Sequence, residues 1–171
     1  MRKFLERVGI IDHLVIDLDI EKNEFFRKLR NHVEIGSVKS SFLEPFEKSN
    51  QSFKGEVWQS GFKIRRKRRF FDTNYSNAIV TGDVSQKNEK TQVNLEINGF
   101  NKVVYFFLGF LLFFFLIFVL MIGFDNFPLL ILPLILLQGL FMLGIIFFVM
   151  RSQTSKLKRD MEKELYYIIK K

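Results

Sequence analysis

Residues 103–150 are apolar almost without interruption, while on both sides apolar and charged residues alternate at short periods. Two stretches, 103–124 and 129–150, are each 22 residues long and carry no charge. At helical rise each reaches roughly 33 Å, enough for a hydrocarbon layer of about 30 Å. Lipid cannot satisfy backbone polar groups, so both stretches are predicted as transmembrane helices. The four residues between them, Asp125-Asn126-Phe127-Pro128, make a tight connection, and Pro128 suits a first helical turn. Pro133 is a candidate kink in the second helix.

The remainder reads as an α+β domain. Leu14, Ile16, Leu18 and Ile20 alternate with Val15, Asp17 and Asp19, the period of a half-buried strand. Phe25, Phe26, Leu29 and Val33 recur at helical spacing across 21–34. Residues 36–52, polar and containing Pro45, read as a connection. A four-stranded antiparallel meander follows, with strands at 53–59, 62–70, 78–85 and 91–97. A two-residue turn at Ser60-Gly61 pairs Val57 with Ile64, Glu56 with Arg65 and Trp58 with Lys63. After Arg151, residues Leu157, Met161, Leu165, Ile168 and Ile169 share one face of an amphipathic helix. Two such helices suffice to cover one sheet face, and the tail is expected to return to it. The units are therefore a cytosolic α+β domain (1–102), a transmembrane hairpin (103–150) and a C-terminal helix (151–171). The strand order is analogous to that of helix-grip proteins, which licenses no ligand.

Charge sets the orientation. Residues 1–102 carry +5, 103–150 carry −1, and 151–171 carry +4, giving the chain its +8. Lys102 and Arg151 flank the hairpin and its tip lacks Lys and Arg, so both termini are expected in the cytoplasm. Met1-Arg2-Lys3 resembles a signal-peptide start, but Glu6 and Asp12 leave no apolar core for one.

The strongest local feature is the stretch 63–69, in which six of seven residues are basic, followed by Phe70-Phe71. Strand directions counted back from residue 103 bring the end of this strand to the membrane side. Arg66, Arg68, Arg69, Phe70 and Phe71 are thus candidate contacts for anionic lipid headgroups, at about 1 kcal/mol per cation. A solvated strand face is the plainer alternative, and nucleic acid is disfavoured beside a membrane anchor. Gln138, alone among apolar residues, is a candidate interhelical polar contact within the hairpin or in a homo-oligomer.

Catalytic signals are weak. The chain has no Cys, which excludes disulfides, zinc–thiolate sites, iron–sulfur clusters and Cys nucleophiles. His13 and His32 stand apart, outside any metal motif. Asp17 and Asp19 share a strand face but lack further oxygen ligands. No cofactor is implied and an enzyme is not expected.

Four segments carry a resemblance: Phe53-Lys54-Gly55-Glu56-Val57, Phe62-Lys63-Ile64-Arg65, Val80-Thr81-Gly82-Asp83-Val84 and Thr91-Gln92-Val93-Asn94-Leu95. Together with the two apolar runs and the charged tail, they resemble an uncharacterised family of small bacterial two-span membrane proteins with an N-terminal cytosolic α+β domain. The chain departs from it at Ala78, where the family commonly has Pro. The resemblance implies architecture and a bacterial inner membrane, and nothing catalytic. The expected function is a non-catalytic binding, sensor or adaptor module. The alternative is an oligomeric, membrane-perturbing effector or pore triggered through the cytosolic domain. Neither a ligand nor a protein partner is specified.

Overall fold

The computed structural model describes residues 2–38, 51–67, 76, 78–100, 102–124 and 131–170. Among them the elements are α1 (Arg2–Arg7), β1 (Ile11–Leu18), α2 (Lys22–His32), β2 (Val33–Ile35), β3 (Phe53–Val57), β4 (Gly61–Arg66), β5 (Ile79–Lys87), β6 (Lys90–Asn98), α3 (Lys102–Phe124) and α4 (Ile131–Lys170). The strands make one six-stranded sheet in the order β1-β6-β5-β4-β3-β2. It is mixed: β2 runs parallel to β3, and every other neighbouring pair is antiparallel.

The α+β class expected from the sequence is therefore present, with a larger sheet. The short strand β2 was hidden inside the predicted helix 21–34. That helix stops at His32, and Val33 turns extended while its N–H still caps the Leu29 carbonyl. β-Branched Val33 and Ile35 then sit beside Phe53 and Gly55.

The predicted hairpin register is wrong by two residues. Val57 stands opposite Phe62, Glu56 opposite Lys63 and Gly55 opposite Ile64. Trp58 N–H donates to the Gly61 carbonyl, so Gln59-Ser60 forms the turn and Gly61 begins β4. In this register Gly55 stands opposite Ile64, at a close approach of β3 and β4, and Gly61 stands at one of β4 and β5. A Cβ on Gly61 would lie 2.4 Å from the Gly82 carbonyl oxygen, and one on Gly55 would lie 2.1 Å from the Lys63 carbonyl oxygen. Both glycines serve close strand-to-strand approach.

One face of the sheet carries the core. Phe25, Phe26 and Leu29 of α2, and Leu157, Met161, Leu165 and Ile168 of α4, close over Ile16, Phe62, Ile64, Val80 and Leu95. Each such side chain removed from water is worth about 1.5–3 kcal/mol. The C-terminal amphipathic face thus packs on the sheet, as expected.

Residues 151–170 continue the helix of the second apolar run, because α4 runs unbroken for 40 residues, roughly 60 Å. Pro133 falls in its first turn, where no in-helix hydrogen bond is lost. From Pro133 on, α4 contains a stretch apolar and long enough to cross a membrane, with a mean hydropathy of 2.4. In α3 the shorter stretch Val104–Leu120 is also apolar.

Candidate functional site at the helix–sheet junction

Three passes of the chain meet where the sheet gives way to the apolar helices. The first is α1 with the start of β1. Gly9 ends α1 at a φ of 75°. Its N–H bonds the Glu6 carbonyl at 3.1 Å, and Ile10 N–H bonds the Leu5 carbonyl at 2.9 Å. This is a Schellman termination, which wants glycine at the left-handed position and an apolar contact across it. Leu5 and Ile10 supply that contact, and with Val8 they pack against Phe100, Val104, Leu108, Ile146 and Met150.

The second pass is Gly99, between β6 and α3, and the third is α4 at Thr154. The Ile10 carbonyl accepts from Gly99 N–H at 2.9 Å and from Thr154 Oγ1 at 2.9 Å. A Cβ at Gly99 would lie 2.4 Å from Thr154 Oγ1 and 3.0 Å from the Met150 carbonyl oxygen. The chain start, the sheet end and the long helix are therefore locked at one point. Lys158 reinforces the lock, with Nζ 2.9 Å from both carboxylate oxygens of Asp12.

The same end of the sheet holds part of the basic stretch. The register aligns Ile11, Asn98, Ile79, Arg65, Lys54 and Glu34 in one row across six strands. The end of β4 hence lies at the end from which α3 departs. Ser76 returns there too, donating to the Gln153 carbonyl at 3.3 Å. Two cations of the stretch are not solvated. Arg65 is 3% exposed and its Nε donates to the Val38 carbonyl at 2.8 Å. Lys67 is 2% exposed and its Nζ lies 2.7 Å from Glu34 Oε2, a carboxylate that Lys54 approaches at 3.3 Å. Arg66, on the core face, pairs with Asp160 of α4. Lys63 is exposed. Arg68, Arg69, Phe70 and Phe71 lie outside the described residues.

An element unforeseen in the sequence stands beside this row. Helix α1 and the turn after it direct Leu5 and Val8 inward and leave Phe4 63% exposed between Lys3 and Arg7, both also exposed. Arg2 pairs with Glu6 and Glu96. The available signal was the three-residue step from Leu5 to Val8, too short to establish a period.

Gln138 lies elsewhere, on the apolar half of α4. It is exposed, at the rim of a groove between α3 and α4 lined by Phe110, Phe114, Phe118 and Ile135. It makes no hydrogen bond among the described residues. The two helices touch where Gly139 receives the Phe115 ring, only 2.1 Å from where a Cβ would stand. The expected hydrogen bond of Gln138 within the hairpin is not formed among these residues.

The other polar candidates have ordinary partners. His13 Nε2 lies 3.6 Å from Glu6, and His32 Nδ1 lies 2.9 Å from the Lys28 carbonyl oxygen. Asp17 accepts from Gln92 at 3.0 Å, and Asp19 pairs with Lys90 at 2.8 Å. The hydrogen bond and the charge of Asp19 raise the Lys90 ammonium above its usual pKa. Among the described residues no three His, Asp or Glu side chains group as a metal ion needs.

No protein-family model, curated protein or solved structure matches this chain. The class that can be stated is a mixed α+β domain whose last helix also carries an apolar stretch of membrane-crossing length.

Proposed function

We propose that this chain is a two-span inner-membrane protein whose α+β domain sits on the cytoplasmic side as a non-catalytic binding, sensor or adaptor module. The observation that carries the reading is α4. Its first half exposes Leu137 and Phe141, while its second half buries Leu157 and Leu165 in the domain core. A single helix with two such halves needs two solvents, and lipid is the solvent suited to the first. The second span rests on the uncharged run 103–124 and on the seating of Phe115 against Gly139. Orientation rests on the Lys/Arg asymmetry, and the bacterial inner membrane rests on the family resemblance alone.

In this arrangement the junction faces the headgroups. Lys3, Phe4 and Arg7 of α1 join Arg68, Arg69, Phe70 and Phe71 as the lipid-facing set. Arg66 contributes less, because Asp160 already holds it. The oligomeric effector is the second reading, favoured by Gln138, which is exposed and makes no hydrogen bond among the described residues.

The native chain has no Cys, so single introduced thiols report topology cleanly. A Cys at Asn126 is expected to react with an impermeant reagent in intact cells, and one at Ser155 is not. The reverse labelling would overturn the orientation. Native mass spectrometry of the detergent-extracted chain tests the module reading: a retained small molecule or a different protein supports it, and a ligand-free assembly larger than a dimer favours the effector.

A further inference from the structure

Gln138 lies about 20 Å along α4 from Arg151, inside a hydrocarbon layer of about 30 Å on the membrane reading. A primary amide there has two N–H donors and a carbonyl acceptor, and the structure gives Gln138 no hydrogen bond among the described residues. Lipid tails cannot supply one. A second amide at the same depth can, because a carboxamide is complementary to itself.

The surrounding residues form the surface such a pair needs. Leu134, Gln138, Phe141, Ile145 and Phe148 recur at steps of four and three, the spacing of a coiled-coil seam. All five are exposed, Leu134 and Phe141 by 64% and 69%. By helical spacing this seam lies on the side of α4 away from Leu157, Met161 and Leu165, so the domain does not obstruct it. The contact with α3 uses Gly139, roughly 100° round from Gln138. Two copies inserted with the same topology run parallel, which brings each Gln138 to the depth of the other. One polar residue in an otherwise apolar seam is the device that sets register in parallel coiled coils.

We infer that the apolar half of α4 pairs with the same segment of a second copy of this chain, with the two Gln138 amides hydrogen-bonded across the seam. The pairing rests on the membrane reading above. Below the membrane Lys156, Arg159 and Lys163 continue the seam's line, so like charges splay the helices apart there and confine pairing to the apolar half.

The test uses the full chain in native membranes with single Cys substitutions and oxidative crosslinking. Phe141→Cys and Ile145→Cys are expected to form disulfide-linked dimers, and Leu136→Cys and Leu143→Cys, on other faces, are not. In a Cys-free background, Gln138→Leu is expected to lower the dimer association constant about three- to thirty-fold, measured by energy transfer in vesicles. Alkaline-carbonate extraction of the same membranes separates two failures. An extractable chain would remove the membrane reading and the pairing with it. A carbonate-resistant chain that crosslinks nowhere, or only through positions 136 and 143, would overturn the pairing alone, leaving lipid to cover the seam. Unchanged association of Gln138→Leu would overturn the amide's part in it. Wild-type protease resistance of the domain in each variant is the control for folding.

Discussion

The two halves of α4 obey opposite burial rules within one continuous helix. In the distal half the large apolar side chains are hidden: Leu157, Met161 and Leu165 are at most 1% exposed, and most of the charges are exposed. In the proximal half Leu134, Leu137, Leu140 and Phe141 stand open, and no charge is present at all. The distal half is amphipathic because it separates water from a core. The proximal half is apolar nearly all round, as the proposed lipid surroundings require. The same residue type, leucine, therefore has opposite meanings 20 or 30 positions apart. The junction between the halves is the one region where both rules act together.

That contrast is open to direct attack. The largest effect is expected from Leu165→Asp, which buries an unpaired charge in the sheet–helix core. It should cost more than about 4 kcal/mol and abolish protease resistance of the domain. Leu137→Asp should leave that resistance intact and instead impair membrane integration, by about 3 kcal/mol at mid-span on insertion scales. Equal loss of domain resistance in both variants would refute the two-solvent account of α4.

Next in size is Gly99→Val, which drives a side chain into Thr154 and the Met150 carbonyl. Overpacking of this kind is expected to cost about 1–3 kcal/mol, read as a lowered melting temperature in detergent. Gly139→Val clashes with Phe115 instead. It should perturb the α3–α4 contact while the domain melts normally, provided the junction isolates the two halves. A smaller effect, about 1 kcal/mol in denaturant unfolding, is expected for Thr154→Val, which keeps the shape and removes the bond to Ile10. The Ile10 carbonyl still accepts from Gly99, so no buried acceptor is stranded. Lys90→Ala is expected to leave the melting temperature unchanged at neutral pH. Its ion pair with Asp19 is solvent-exposed at the far end of the sheet, and a raised ammonium pKa there carries no burial with it.

Much of the fold was visible in the chain. The helical period of Phe25, Phe26 and Leu29 marked α2, and alternation through Val93, Leu95 and Ile97 marked β6. The stripe from Leu157 to Ile168 marked the covering face of α4. Two short elements escaped. Helix α1 has six residues, and β2 has three, fewer than a period needs to declare itself. The slipped hairpin has another cause. A two-residue slip keeps every side chain on its own face, so alternation is blind to it. The observed register places Gly55 opposite Ile64, where the two backbones leave no room for a Cβ.

The candidate site divides in the same way. That cations cluster near 63–69 could be read directly, but not that Arg65 and Lys67 are buried. Lys67 finds its carboxylate 33 residues upstream on β2, and Arg66 finds its own 94 residues downstream on α4. Apolar length, charge balance and helical or strand period are sums over neighbouring residues, so the chain alone determines them. The lock of Ile10 with Thr154, the hairpin register, the exposure of Gln138 and the burial of Lys67 are different in kind. Each depends on which distant residues share a few ångströms of space, a quantity that exists only once the sheet has assembled and α4 lies across it.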